Sequence, residues 1–466
     1  MVAVTQWAKR TPWSMALAAL AVAAGIRAER GGRHACHCPA DPAGARVMLE
    51  VEYDGPAPAR AVAAVLDDGL ADRVAPLFTR DDAELRRWVL VETHDAETAL
   101  AALRAQPGVR HAEIAPQVAD AAIDPGAAAF APLDDGPSCP LKTPSYAESQ
   151  EYAGPAPAGI DAPAAWALPG GRGEGVWLAD IESAWNPAHE DLPGDRIEKV
   201  TRGRGSDHSE HGTAVLGELV GVDNGLGVTG LAPAIERIYT ASYLDAPLAG
   251  AIDRAAAKLR QGDVMLLEVQ GTGPRNRYVP VEYWSSVFAV IQRATARGVI
   301  VVEAAGNGSE DLDHPAYKGA FDRRRRDSGA ILVGAGAPPR PGFVARARLD
   351  FSNYGARVDV QGWGRRVTTL DYGDLQRCSS ARDGRPRDYT GAFAGTSSAS
   401  PIVAGAAVQL AGVYRARHGA PISPQLVRDL LTQTGTPQVA GPGAPLAQHI
   451  GPLPDLRAAL AALDGY

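Results

Sequence analysis

At 466 residues the chain is too long for one ordinary domain and has room for a large α/β unit with a smaller companion. With 45% apolar and 21% charged residues it can build a packed core, which excludes a natively disordered chain. A formal charge of −8, with acids and bases intermixed, provides no basic field for nucleic acid or an anionic membrane, and four cysteines cannot define a disulfide scaffold.

The chain opens on Lys9 and Arg10, an apolar run from Trp13 to Ile26, and small residues such as Ala21-Val22-Ala23. That is the layout of a signal peptide over residues 1–28, with an alanine-rich helix as the other reading. The run is short for a bilayer, so a released, extracytoplasmic protein is expected rather than a membrane-anchored one. Residues 29–45 read as a linker. Within it, His34-Ala35-Cys36-His37-Cys38 has thiophilic ligands, but its one-residue cysteine spacing is not a common zinc pattern. From Arg46 to Val118 the signals run strand, helix, strand, strand, helix, strand. RVMLEVEY alternates, and Ala57–Leu70 gathers Val62, Val65 and Leu66 on one helical face. RVAPLFT and RRWVLVET follow as strands, Asp95 caps a helix carrying Leu100 and Leu103, and VRHAEIAPQV closes the unit. The order is that of a small ferredoxin-like α+β module over residues 46–118. Residues 119–158, rich in Ala, Pro, Gly and Asp, read as a second linker. Cys139 lies in it, and Cys139 and Cys378 are expected either as a bridge or as two free thiols.

From Gly159 to Leu463 the pattern changes. GVWLAD, DVMLLEV, VIVVEAAGNG and AILVGAG are strands of continuous apolar character, which implies a parallel sheet covered on both faces. Helical stretches such as Leu248–Leu259 and Val281–Arg297 alternate with them, predicting a doubly wound α/β domain. Ligands in that architecture sit beyond the carboxyl ends of the strands, where Asp180 and Asn307 fall. A further helix, from about Ala399 to Arg415, is preceded by Gly395-Thr396-Ser397. A serine there either caps the helix or serves as a nucleophile whose oxyanion meets unpaired amides and the positive dipole end. Arg323–Arg326 reads as a solvated basic loop.

Acyl transfer by serine needs a base, a group orienting that base, and oxyanion donors. Asp180, His211 and Ser397 stand in the order Asp-His-Ser, and Asn307 can offer a side-chain N–H to an oxyanion. The stretches GVWLADIE, HGTAVLG with DNGLGVTGLAP, AAGNG, and GTSSASPIVAG resemble the motifs of the subtilisin-like serine proteases. FSNYG and SPQLVRDLLTQTGTP resemble later segments of the same domain.

This resemblance implies a serine endopeptidase with Asp180, His211 and Ser397 as triad and Asn307 at the oxyanion. It implies a peptide laid along Val269, Gln270 and Gly271, and polypeptides as substrates. The 46–118 module is then an inhibitory propeptide, with self-cleavage between Ala119 and Gly159. No cofactor is implied for the chemistry; structural calcium is, with Asp191 and Asn224 as candidate oxygens. The sequence departs from the family at Ile181-Glu182, where Thr-Gly is usual, and at Glu210. A Glu182 facing inward would add negative charge beside His211 and raise its pKa. The alternative from another class is a degenerate protease acting as a binding scaffold; an esterase-like reading lacks the G-x-S-x-G elbow.

Overall fold

A computed structural model describes residues 46–66, 69–79, 82–122, 139–201, 209–378, 386–463 and 465. The expected leader, the first linker with its His/Cys cluster, and residues 123–138 of the second linker lie outside them.

The small module consists of β1 (Val47–Tyr53), α1 (Pro58–Val65), β2 (Arg73–Pro76), β3 (Trp88–Thr93), α2 (Ala96–Arg104) and β4 (Val109–Ile114). Its strands form an antiparallel sheet in the order β2-β3-β1-β4. Alternation puts Leu49, Val51, Val89 and Val91 on one face, against Val62 of α1 and Leu100 and Leu103 of α2. Asp95 caps α2 by accepting from the Thr98 amide at 3.1 Å.

After β5 (Val118–Asp120) comes the large domain. Its first half holds α3 (Ala162–Trp166), β6 (Trp177–Glu182), β7 (Ile197–Lys199), α4 (Glu210–Val220), β8 (Arg237–Ser242), α5 (Leu248–Ala256), β9 (Val264–Leu267), β10 (Val269–Thr272) and β11 (Tyr278–Pro280). Its second half holds α6 (Ser285–Ala296), β12 (Ile300–Ala304), β13 (Ile331–Gly336), β14 (Val360–Trp363), β15 (Val367–Leu370), β16 (Tyr389–Phe393), α7 (Thr396–His418), α8 (Pro424–Thr434) and α9 (Leu456–Leu463). Seven strands make one parallel sheet in the order β14-β13-β12-β9-β6-β8-β7. Every residue of β9, β12 and β13 is buried, as strands covered on both faces must be. Residues of α4 and α7 fill the core on one face and those of α5 and α6 the core on the other, so the sheet is doubly wound. The DVMLLEV run does not continue as one strand. It breaks at Glu268, so that β9 stays in the sheet while β10 joins β11 and β5 in a second, antiparallel sheet.

Helix α7 is buried continuously from Thr396 to Val413, and so is covered all round rather than on one amphipathic face. It starts three residues earlier than its sequence pattern suggests. Pro401 therefore falls inside the helix, where it cannot donate to the carbonyl of Ser397. The basic run is only half solvated. Arg324 and Arg325 are exposed, but Arg323 donates to Asp359, and Arg326 lies 3.9 Å over the Phe288 ring and donates to the Glu282 carbonyl. Cys139 and Cys378 form a disulfide, tying the second linker to the large domain.

The small module docks on α5 and α6. Leu77, Phe78, Leu85 and Trp88 join the core on that face. Glu113 accepts from the Ser285 amide at 2.9 Å, at the start of α6; Glu50 accepts from the Ser286 hydroxyl, and Asp82 pairs with Arg293 at 2.5 Å. Carboxylates at a helix N-terminus meet unpaired amides and the positive end of the dipole.

Candidate active site

His211 is the second residue of α4, and the helix is pressed against the loop after β6. A Cβ on Gly212 would stand 2.4 Å from the Ala184 carbonyl, so only glycine allows this approach. Thr213 closes the contact: its hydroxyl accepts from the Asn186 amide at 2.9 Å and donates to the Ser209 carbonyl. The imidazole edge packs on Phe393, with ring centroids 5.6 Å apart.

Nδ1 of His211 lies 2.6 Å from a carboxylate oxygen of Glu182, not of Asp180. This corrects the sequence-based assignment. Strand β6 runs two residues past Asp180, and side chains two apart share a face. Glu182 therefore stands at the carboxyl end of the strand, where ligands gather, while Asp180 stays inside the domain and accepts from the Trp185 indole N–H at 2.7 Å. Burial pushes the Asp180 carboxyl up to about 7, against the Trp185 bond and His211. Burial also raises Glu182, with Asp180 and Asp120 adding to it. The inward-facing Glu182 considered from the sequence is what the structure shows, because the strand continues for one more alternation past Asp180.

The serine loop and the asparagine turn are locked together. Gly395 carries φ 120°, a conformation that favours glycine, and delivers Thr396 to the first turn of α7. Asn307 Oδ1 accepts from the Thr396 amide at 2.9 Å and from its hydroxyl at 3.1 Å, which fixes the direction of the Asn307 N–H₂ group. Asn353, from FSNYG, braces the turn from behind. It accepts from the Gly308 and Glu310 amides and donates to the Ala305 and Tyr278 carbonyls.

A segment of the chain itself occupies the cleft. β5 lies antiparallel on β10, with Val118 opposite Gly271, Ala119 opposite Gln270 and Asp120 opposite Val269. The Ala121 amide donates to the Glu268 carbonyl at 3.0 Å. The Ala121 carbonyl accepts from the Ser397 amide at 3.2 Å and from Asn307 Nδ2 at 2.5 Å. Asn307 Nδ2 also reaches the Ala122 carbonyl at 3.1 Å.

The expected Ser397–His211 hydrogen bond is not formed. Ser397 Oγ and His211 Nε2 are both buried and have no hydrogen-bond partner among the described residues. Among the neighbouring carboxyls, Glu182 Oε1, Asp180 Oδ1 and Glu268 Oε2 are without a hydrogen-bond partner as well. Folded proteins leave few such groups unsatisfied, so each calls for an explanation. Asp120, Glu182 and His211 bring three ligand-type atoms within 4.8 Å, but each has a hydrogen-bonding partner of its own in this arrangement. Asp191 and Asn224 do not fit a calcium cage. The Asn224 amide nitrogen donates to Asp191 at 2.9 Å, and the other Asp191 oxygen accepts from the Val228 amide.

The sequence profile of the subtilase family matches residues 118–451. The chain belongs to the subtilase family. Among curated relatives, subtilisin BL of Lederbergia lenta is 30% identical over 207 residues, covering 43% of this chain and 62% of its own length. The chain thus spans less than two thirds of that relative. Subtilisin E of Bacillus subtilis (strain 168) is 27% identical over 298 residues, 62% of this chain and 68% of the relative. The fold is shared with solved structures. Fervidolysin of Fervidobacterium pennivorans has a TM-score of 0.58 at 18% identity and covers 90% of this chain and 61% of its own. The epidermin leader peptide processing serine protease of Staphylococcus aureus has a TM-score of 0.57 at 17% identity and covers 90% and 99%.

Proposed function

We propose that this subtilase is a serine endopeptidase with a Ser397–His211–Glu182 triad, made as a precursor that cuts itself between Ala121 and Ala122. The observation that carries the reading is the Ala121 carbonyl, held by the Ser397 amide and Asn307 Nδ2 at the end of a strand bound to β10. In acyl transfer those two donors face the oxygen on which charge develops.

The Glu182–His211 and oxyanion contacts support the following steps, and the first of them needs Ser397 Oγ and His211 Nε2, both left without a partner, to meet. His211 Nε2 takes the Ser397 proton as Ser397 attacks the carbonyl carbon. Glu182 accepts from Nδ1–H, holding the tautomer and stabilising the imidazolium. His211 then protonates the leaving amine, that of Ala122 in the precursor, and water repeats the sequence on the acyl-enzyme. After the cut, the 46–121 segment remains as an inhibitor, anchored through β5 and through Glu50, Asp82 and Glu113. Polypeptides are the substrates, and secretion through the N-terminal leader accords with a self-activating protease. Among the described residues no helix is long and apolar enough to cross a membrane.

A fluorophosphonate probe tests the reading together with intact-mass analysis. The active chain should be labelled at Ser397 and yield a fragment beginning at Ala122, while Ser397→Ala should be unlabelled and stay uncut. An unlabelled wild-type chain would instead favour a scaffold, and a different new N-terminus would displace the Ala121–Ala122 assignment.

A further inference from the structure

The residue before Ala121 is held as firmly by its side chain as by its main chain. Asp120 Oδ1 accepts from the Ser183 amide at 3.1 Å and from the Tyr243 hydroxyl at 2.9 Å. Oδ2 accepts from the Ser183 hydroxyl at 2.5 Å and lies 3.9 Å from His211 Nδ1. Separately, the Asp120 carbonyl accepts from Gln270 Nε2 at 3.0 Å. The donors come from the frame that carries Glu182. Ser183 follows β6 and Tyr243 follows β8, and the Tyr243 amide donates to the Glu182 carbonyl. The Ser242 hydroxyl fixes the Ser183 carbonyl at 2.5 Å. Burial and the neighbouring Asp120 keep the Tyr243 phenol protonated, and hence a donor.

We propose that Ser183 and Tyr243 form a specificity pocket that selects an acidic side chain immediately upstream of the residue whose carbonyl is attacked. This deepens the endopeptidase reading and rests on it. A carboxylate accepts from all three donors at once, and bonds to an ionised acceptor are about twice as strong as neutral ones. An amide offers one accepting oxygen, a methyl group offers none, and an ammonium group would be opposed by the Ser183 N–H and find only two neutral hydroxyl oxygens as acceptors. The charge is placed between opposing neighbours: His211 attracts it, while Glu182, on the same Nδ1 edge of the imidazole, opposes it. The Asp120 side chain keeps 18% of its surface exposed, so water reaches the pocket and moderates the discrimination.

Two measurements test this, one of them independent of catalysis. In the full chain carrying Ser397→Ala, hydrogen exchange at amides 117–122 reports how firmly the segment is seated. Asp120→Ala and Asp120→Lys should each speed that exchange by about tenfold or more. Ser183→Ala combined with Tyr243→Phe should reproduce the Asp120→Ala effect and add nothing to it, as expected of partners in one interaction. Unchanged exchange in Asp120→Ala would overturn the pocket, whether or not the chain is a protease. The second measurement gives the protein matured from the full chain four peptides differing only at that upstream residue. kcat/KM should be about tenfold or more higher for Asp than for Ala, intermediate for Asn and lowest for Lys. Ser183→Ala with Tyr243→Phe should bring the Asp-to-Ala ratio toward one, and equal rates for all four peptides in the unaltered enzyme would overturn the proposal. If no peptide is cut and no fluorophosphonate is bound, the endopeptidase reading fails instead, and the exchange result still decides the pocket.

Discussion

Replacing Glu182 by glutamine removes its charge while nearly keeping its shape, which isolates what it does for His211. An amide can present its N–H₂ group to Nδ1 and stabilise the wrong tautomer. Glu182→Gln should therefore lower kcat by roughly 10⁴-fold with KM little changed, as loss of the orienting carboxylate does in other serine triads. Asp180→Asn should retain most of kcat, because Asp180 bonds to Trp185 and not to the imidazole. The opposite ranking in steady-state kinetics would return the orienting role to Asp180. Burial also has a consequence for pH. Glu182 must be ionised to stabilise the imidazolium, and its carboxyl is pushed up by burial and by Asp180 and Asp120. The acid limb of kcat/KM should thus lie above the ordinary carboxylate range.

Among the elements, the α4 approach is the one most exposed to a single methyl group. Gly212→Ala puts a Cβ 2.4 Å from the Ala184 carbonyl, and both partners are backbone on packed elements. Overpacking of this kind costs about 1–3 kcal/mol, and here it also displaces His211, so both the thermal midpoint and kcat should fall. A Gly212→Ala protein with unchanged kcat would mean that α4 can slide without moving the imidazole. The strands and helices of the sheet were legible in the sequence because continuous apolar runs and helical spacing report burial directly. The histidine, serine and asparagine positions were legible because each sits in a short glycine-containing stretch. The expected contact of Asp180 with His211 fails for a local reason: the strand continues through Ile181, so that Glu182, on the same face, reaches the imidazole first. Ser183 and Tyr243 gave no usable signal and the bracing role of Asn353 within FSNYG none either, since these roles depend on contacts between segments 43 or more residues apart in the chain.

At the scale of the whole molecule, buried carboxyls set the response to pH. Burial raises Glu50, Asp180 and Asp371 to about 7, Asp191 and Glu303 to about 8, and Glu182, Glu218 and Glu268 well above the ordinary range. For such groups the folded chain holds protons that the unfolded chain has released, so stability falls as pH rises from about 4.5 toward 8. His189 and His449, lowered by burial, oppose this below about 6.5, because the folded chain keeps them neutral. Asp327 acts the same way at lower pH: its bonds to Arg428 outweigh burial and hold it at about 2. Eight raised carboxyls outnumber these groups, so the Ser397→Ala chain should melt at a higher temperature at pH 5.5 than at pH 8.5. A midpoint that rises with pH over this interval would contradict the buried-carboxyl account.

The carboxyl of Glu50, set against Ser286 where the small module docks, gives the proposed precursor a further property. Glu113 and His111 also act on Glu50, the first raising it and the second lowering it, but burial is the largest influence. An undocked Glu50 would return to its ordinary range, so docking is a reaction that takes up a proton. Affinity between the severed 46–121 fragment and the rest of the protein should then weaken by up to tenfold per pH unit between about 4.5 and 7, and level off above. The fragment would be held in acid and shed near neutrality, making the inhibitor a reader of the compartment it enters. Following fragment loss by size-exclusion chromatography across that range would show it, and Glu50→Gln should flatten the dependence.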